Sequence, residues 1–407
     1  MPGRRLTQSR YHRGVTGSNW ERTGKVNRRV VLGAIRIDGP LERADIVART
    51  GLAVQTVSNI VNELIEDGFV KKCPATPGRL GPPAHPLDIE PDGAFSIGLS
   101  LDQRSILGCV ANLAGQTLAS EELPIEGLSG PEAFRQICSL IGRLREAPGK
   151  TGSPILGVGI AVSGPFGVRS YLMDGPTSAP AWLTNAIVDE LGRETDLPIE
   201  LCNDSTASTI GQRIYGVAKD IKSFAHLFIG FGVAVGYFLE DRVYCGADGN
   251  AGEIGHTMLM PGGHTCFCGS TGCLEQYLSL YSAGHQLGID VFSEVGLDQF
   301  CASLADPDPR MRQWLVEAAE GFRRAVHMIE QLLDPGCIVV GGYMPRPVLE
   351  AILTAATPLY PSIRQRDGDG EPRVLLGSTG RDVGVLSAAA LPLYSHMNPA
   401  LDIVLKK

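Results

Sequence analysis

No run of about 18 apolar residues occurs anywhere in the 407-residue chain, which excludes a membrane-spanning helix. The basic N-terminus has no apolar stretch behind it, so a secretory signal is not expected. No short tandem repeat is present. A disulfide framework is missing as well, because most of the ten cysteines are scattered and three fall within eight residues. That usage fits a reducing cytoplasm, the expected location, together with one metal cluster. Hydrophobic residues at 43%, charged residues at 20%, 50 glycines and 27 prolines are globular values, not those of a disordered or collagen-like chain. A chain of this length is expected to hold two or three domains and a sizeable core.

Acidic residues are scarce at one end only. Residues 1–30 carry eight Lys/Arg and the single acid Glu21, and residues 31–82 balance six bases with six acids. With a net charge of −8 overall, residues 83–407 therefore carry −15. A basic head on an acidic body points to a head that meets a polyanion. A merely solvated basic tail is the alternative, and the next segment bears on it.

From Lys25 to Lys72 the pattern is helical. Val30, Val31, Leu32 and Ile35 predict a first amphipathic helix that stops at Gly39-Pro40. Arg43 to Thr50 forms a second with Ile46, Val47 and Ala48 inward, and Gly51 supplies a left-handed turn. Val54 to Asp67 forms a third, with Val57, Ile60, Val61 and Leu64 on one face. Its other face offers Gln55, Thr56, Ser58, Asn59 and Asn62, short hydrogen-bonding groups suited to base edges in a major groove. Phe69 to Cys73 predicts a strand, and Thr76 to Arg79 a wing tip whose Arg79 would reach phosphates or the minor groove. The segment resembles the winged helix-turn-helix of bacterial repressors.

A Pro/Gly-rich hinge, Gly78 to Pro86, precedes alternating strands and helices: strands at Phe95–Leu101, Ile106–Ala111, Ile155–Val162 and Ile199–Cys202, helices at Pro131–Leu144 and Ala186–Thr195. This is an α/β body. The return of strand, Gly turn and strand near 98 and near 230 suits two related lobes.

Cys266-x-Cys268-x4-Cys273 lies in a Gly-rich loop, and three thiolates at this spacing can converge on one soft cation, zinc in a structural tetrahedron being the expectation. The fourth ligand is His256 or His264. A closed site of this kind offers no open position for catalysis.

Glu253-Ile254-Gly255-His256, followed ten residues on by Cys266-x-Cys268-Gly269-x-x-Gly272-Cys273-Leu274-Glu275, resembles the signature of the ROK family (repressors, open reading frames and sugar kinases). The resemblance runs from the winged head to about Ala389. It implies the actin-like, ribonuclease H-like two-lobed sugar-kinase fold behind a winged helix-turn-helix. It implies zinc held by His256, Cys266, Cys268 and Cys273, and a sugar held by Asn203, Asp204, Glu253, His256 and Glu275. In a kinase of this family Asp204 would be the base. Carboxylates and an amide suit a sugar because they meet several hydroxyls at once. Taken alone, Asn203-Asp204 would read as a strand-end turn or helix cap.

The kinase pattern fails at the phosphate turns. Where the family has Asp-x-Gly-Gly-Thr, this chain has Ser100-Leu101-Asp102-Gln103-Arg104. Where the family has Gly-Thr-Gly-x-Gly, it has Gly230-Phe231-Gly232-Val233-Ala234. Phosphate needs close backbone, hence Gly, and an added carboxylate repels it by about 4 kcal/mol for charges 4 Å apart at an effective dielectric of 20. The adenosine-side stretch Asp334 to Gly342 is retained.

The expected protein is a sugar-responsive DNA-binding repressor, not an enzyme, with a structural zinc. A monosaccharide or derivative is the expected effector and double-stranded operator DNA the partner. A homodimer or homotetramer is expected, with no membrane involvement. The alternative is an ATP-dependent sugar kinase carrying a DNA-binding domain. The expected division is a flexible arm at 1–24, the winged head at 25–77, and a wing and linker at 78–91. The first lobe takes 92–205 with about 383–397, and the second 206–382 with the zinc loop.

Overall fold

The computed structural model describes residues 20–75, 85–102, 104–149, 152–164, 182–183, 185–247, 249–363 and 372–398. The chain opens with helices α1 (Trp20–Asp38), α2 (Arg43–Thr50) and α3 (Val54–Glu66), followed by an antiparallel pair, β1 (Val70–Lys72) with β2 (Leu87–Ile89). Val31 and Ile35, Ile46, and Val57, Val61 and Leu64 are fully buried and form one core from three helices. Glu42 and Asp45 close a capping box at the start of α2, and Gly51 ends the helix at φ 68°, a conformation cheap only for glycine. Ala48 is exposed, not inward, because the short helix turns only one face, led by Ile46, to the core. The arm expected over 1–24 is shortened, since α1 begins at Trp20. Gly24 costs a helix about 1 kcal/mol, too little to stop propagation once a nucleus exists. Return strand β2 was not predicted from the sequence.

The first lobe contains β3 (Phe95–Leu101), β4 (Ser105–Asn112), β5 (Thr117–Pro124), α4 (Gly130–Glu146), β6 (Ile155–Val162), α5 (Asn185–Thr195) and β7 (Ile199–Asn203). Helix α6 (Asp204–Ile214) leads to β8 (Phe224–Ile229), β9 (Val233–Leu239) and β10 (Arg242–Tyr244). A long excursion carries α7 (Glu275–Leu278), α8 (Leu280–Leu287), α9 (Glu294–Ala302) and α10 (Pro309–Leu333). The chain then runs through β11 (Cys337–Gly342), α11 (Arg346–Ala355), β12 (Val374–Thr379) and α12 (Asp382–Met397).

The two large sheets share one plan. Their orders are β5-β4-β3-β6-β7 and β10-β9-β8-β11-β12, each with an antiparallel meander followed by two parallel strands. This is the two-lobed α/β fold expected of the body. Between the sheets lie α12, packed on β3 and β6, and α6, packed on β9 and against α12. Helix α12 is apolar around most of its circumference, as a helix covered on several sides must be.

Small residues set the spacing of these layers. Gly98 and Gly159 are register partners on β3 and β6. A Cβ at Gly98 would overlap the Val385 carbonyl, and one at Gly159 the Ala388 carbonyl, both on α12. Gly211 of α6 meets Ser387 of α12, and Gly236 of β9 meets Thr209 of α6 in the same way. Gly159→Val should therefore destabilise the chain by on the order of 3 kcal/mol through overpacking, read as a lowered urea midpoint at unchanged slope.

Candidate functional site

Asn203 ends β7 and caps α6. Its Oδ1 accepts the Ser205 N–H at 2.9 Å and the Ser205 hydroxyl at 2.7 Å. The cap reading of this residue is thus realised, and it fixes where Asp204 sits. The Asp204 Oδ1 accepts the Ser205 N–H at 2.7 Å, and Oδ2 accepts the Ser163 hydroxyl at 3.0 Å. Burial raises the Asp204 carboxyl above its ordinary range, and these two hydrogen bonds oppose the rise.

Glu253 and Glu275 come from the second lobe. Glu253 precedes a single 3-10 turn, Ile254–His256, and Glu275 opens α7. The Glu275 Oε2 accepts the Val233 N–H at 3.0 Å, and a Cβ at Gly232 would stand 2.7 Å from that oxygen. Glycine there lets the turn before β9 lie directly on the carboxylate. Oε1 of Glu275 is buried with no hydrogen-bond partner. Burial, then repulsion from Asp204, pushes Glu253 up to about 7. Burial also pushes Glu275 up to about 7 against the Val233 bond, with Glu253 and Asp204 adding repulsion. Three acids from two lobes thus share one low-dielectric space, and one oxygen among them awaits a donor. Clustered acceptors of this kind match a polyol that supplies hydroxyl protons.

His256, Cys266, Cys268 and Cys273 present ligand atoms all within 4.8 Å of one another. Cys266 Sγ lies 3.7 Å from His256 Nδ1, and Cys268 Sγ lies 3.7 Å from Cys273 Sγ. A zinc tetrahedron with sulfur at about 2.3 Å needs sulfur–sulfur edges of about 3.8 Å, so the four residues fit that ion. Isolated bridges Met258↔Cys273 and Thr265↔Thr271 fold the loop so that residues ten apart meet. His264 stands elsewhere, its ring 4.9 Å from that of Tyr277 and its Nε2 3.5 Å from Glu317, which settles which histidine joins the cluster. Bound there, zinc would cross-link the loop that carries His256 to the start of α7.

Between the end of β3 with Asp102 and Arg104, and the turn at Gly230–Gly232, side chains from both lobes meet. Asp102 Oδ1 accepts the N–H groups of Arg104 and Ser105, both at 2.7 Å, so this carboxylate organises its own turn. Phe231 stacks on Phe292 with centroids 4.6 Å apart, and the Arg104 guanidinium covers Phe292 at 4.7 Å. Tyr343, immediately after β11, reaches the first lobe, where its hydroxyl lies 3.2 Å from Ser100 Oγ. The gap left among Ser100, Ser163, Phe231, Tyr343 and Arg381 is about 30 Å³, room for one water. Sequence reasoning missed Tyr343, Phe292 and Ser163, since no local spacing marks them.

In the head, Gln55, Asn59 and Asn62 are exposed on α3, and Thr56 and Ser58 are half-buried. Gln55 donates to Asn59 at 2.8 Å, and Arg43 of α2 donates to Asn62 at 2.7 Å. Arg43 and the 68% exposed Val54 extend this face and were not picked out from the sequence. Arg79 lies outside the described residues. Among the described residues no helix is long and apolar enough to cross a membrane.

The ROK family model matches residues 96–393, and a MarR family model matches residues 27–79. The chain is 26% identical over 260 residues to the xylose repressor of Bacillus spizizenii, a match covering 63% of this chain and 66% of that protein. That share falls just short of two thirds of the relative's length. It is 20% identical over 317 residues to the DNA-binding transcriptional dual regulator NagC of Escherichia coli, covering 75% of this chain and 77% of that one. In three dimensions it superposes on a ROK family transcriptional regulator, a homologue of the E. coli MLC protein. The TM-score is 0.69 at 20% identity, covering 95% of this chain and 100% of the other. It also superposes on a ROK family glucokinase from Streptomyces griseus solved with glucose and AMPPNP, at TM-score 0.56 and 23% identity, covering 73% and 98%.

Two outcomes follow from this geometry. Purified protein should carry about one zinc per chain, and Cys266→Ser should remove it, read by elemental analysis and thiol titration. For Glu253 the raised folded value makes ionisation destabilising. The penalty begins as pH rises past the ordinary carboxylate range and is complete above about 7. Glu253→Gln should therefore raise the melting temperature at pH 8 and leave it nearly unchanged at pH 5.

Proposed function

This chain belongs to the ROK family, and on that premise we propose that it is a sugar-responsive transcriptional repressor whose winged head, 25–77, binds operator DNA. A wing and linker at 78–91, whose Leu87–Ile89 returns as a strand of the head, leads to a first lobe of 92–205 plus about 383–397 and a second lobe of 206–382. The carrying observation is the acceptor-rich cluster of Asp204, Glu253 and Glu275, with an orphaned Glu275 oxygen. A sugar held by Asn203, Asp204, Glu253, His256 and Glu275 would draw the two lobes together. It acts only through its differential affinity for the two arrangements.

Helix α6 supports a route from cage to head. Asn203 and Asp204 stand at its N-terminus. At its C-terminus Arg36 of α1 donates to the carbonyl of Ile214 at 3.0 Å and to that of Arg213 at 3.5 Å. Zinc on His256, Cys266, Cys268 and Cys273 holds the cage rim, and His256 belongs to both sets, so metal and sugar binding are coupled. On α3, Gln55, Thr56, Ser58, Asn59 and Asn62 read bases, and Arg79 contacts the DNA backbone or minor groove. A homodimer would match a two-fold operator.

The likeness to a glucokinase fold favours a second reading, a sugar kinase with Asp204 as base. Against it we set the loss of the family's glycines at Asp102 and Gln103 and of its threonine at Phe231, and the stacking of Phe231 on Phe292 and its contact with Tyr343.

Fluorescence anisotropy on DNA from the gene's own upstream region, at fixed salt, tests the proposal. Specific binding should be altered by one sugar of a panel, and Asn59→Ala should weaken it roughly ten-fold without changing non-specific affinity. Sugar-dependent ADP release that Asp204→Asn abolishes would establish the kinase instead.

A further inference from the structure

A cavity of about 370 Å³ lies where the head meets the body, walled by α1, the C-terminal end of α6, β9 and the end of α12. Its size is that of a small-molecule site. Its charge is lopsided. Arg29 and Arg36 of α1, Arg49 of α2, Arg213 of α6 and Lys222 all line it. Two carboxylates oppose them, and both are engaged: Asp38 pairs with Arg49 at 3.0 Å, and Asp241 with Arg213 at 2.9 Å.

Two of the cations are incompletely satisfied. Arg213 is only 8% exposed; one terminal nitrogen reaches Asp241, and the other, Nη1, is buried without a hydrogen-bond partner. Arg36 spends Nη1 on the α6 carbonyls, and its Nε is likewise buried and unpartnered. No carboxylate faces Arg36 within ion-pair distance among the described residues. Burial, then the charge of Arg213, lowers its guanidinium to about 10, which is the signature of two cations held together in a poor solvent for charge. Buried unmet guanidinium donors are costly, and a planar oxyanion satisfies them in pairs. Phe238, Tyr394 and Met397 supply an apolar wall beside them.

We propose that this junction cavity binds a small organic anion, carrying a carboxylate or phosphate, with its charged group between Arg36 and Arg213 and its carbon skeleton on the apolar wall. The site is distinct from the sugar cage, since α6 separates the two by about 16 Å of helix. An anion there competes with the α6 carbonyls for Arg36, and so loosens or re-seats the head. This last consequence rests on the regulator reading, whereas binding itself does not.

Calorimetry of the full chain at matched ionic strength, with phosphoenolpyruvate, 3-phosphoglycerate and citrate as probes, tests binding without DNA. At least one probe should bind saturably. Arg36→Met should weaken it ten-fold or more, the exposed-rim change Lys222→Gln about three-fold, and the cage change Glu253→Gln not at all. No saturable binding by any probe, or binding that Arg36→Met leaves intact, overturns the proposal. If Arg36→Met does not fold, Lys222→Gln decides, and unchanged affinity in that variant is the overturning result. A probe that binds but leaves DNA affinity unaltered removes the link to the head and leaves the site standing.

Discussion

Backbone-to-backbone contact between sheets and helices is the constraint on which the body depends. Sheet, α12, α6 and sheet are stacked so closely that Gly98, Gly159, Gly211 and Gly236 have no room for a side chain. Packing at this density transmits displacement instead of absorbing it, because there are no voids to fill. The two sheets therefore cannot move independently of the helices between them. That tightness also fixes the N-terminus of α6, and with it the positions of Asn203 and Asp204, against the first lobe.

The acids at the cage work against folding. Burial raises the affinity of Asp204, Glu253 and Glu275 for protons, and the charge of Asp204 adds to it at both glutamates, with that of Glu253 adding at Glu275. Such an arrangement persists only where the surrounding structure imposes it, which is the usual mark of a binding site. The Cys/His cluster has the same character, since Cys266, Cys268, Cys273 and His256 are gathered by a loop held by two isolated bridges. A bound ion or ligand would relieve a cost that the fold has already met.

Much of this was legible from residue order alone. Gly51, the apolar spacing on α3 and the Cys266–Cys273 spacing are local signals, and each lies where expected. Assigning His256 to the cluster needed the family resemblance, because spacing alone left His264 open. What the sequence hid was non-local. Tyr343 fills the cleft by touching Ser100, 243 positions earlier, and Arg36 finds Ile214 across 178 positions. Three-residue β2 was too short to carry a period, and Arg43 and Val54 join the exposed polar face of α3 only through helix geometry. Ala48 was misplaced because a helix of eight residues gives a weak phase.

Helix α1 presents two faces with separate duties. Val31 and Ile35 look into the head, while Arg29, Gly33 and Arg36 look toward the body. Neither set overlaps the outward residues of α3. On the function proposed above, substitutions at Gln55, Asn59 or Asn62 would alter which sequence is read without touching how the head is docked. Within a lineage, a regulator built as proposed would be able to acquire new target genes while keeping its old stimulus, or exchange its stimulus while keeping its targets. The two traits would be free to evolve on separate schedules because the outward residues of α3 and the body-facing residues of α1 lie on different helices and share no position.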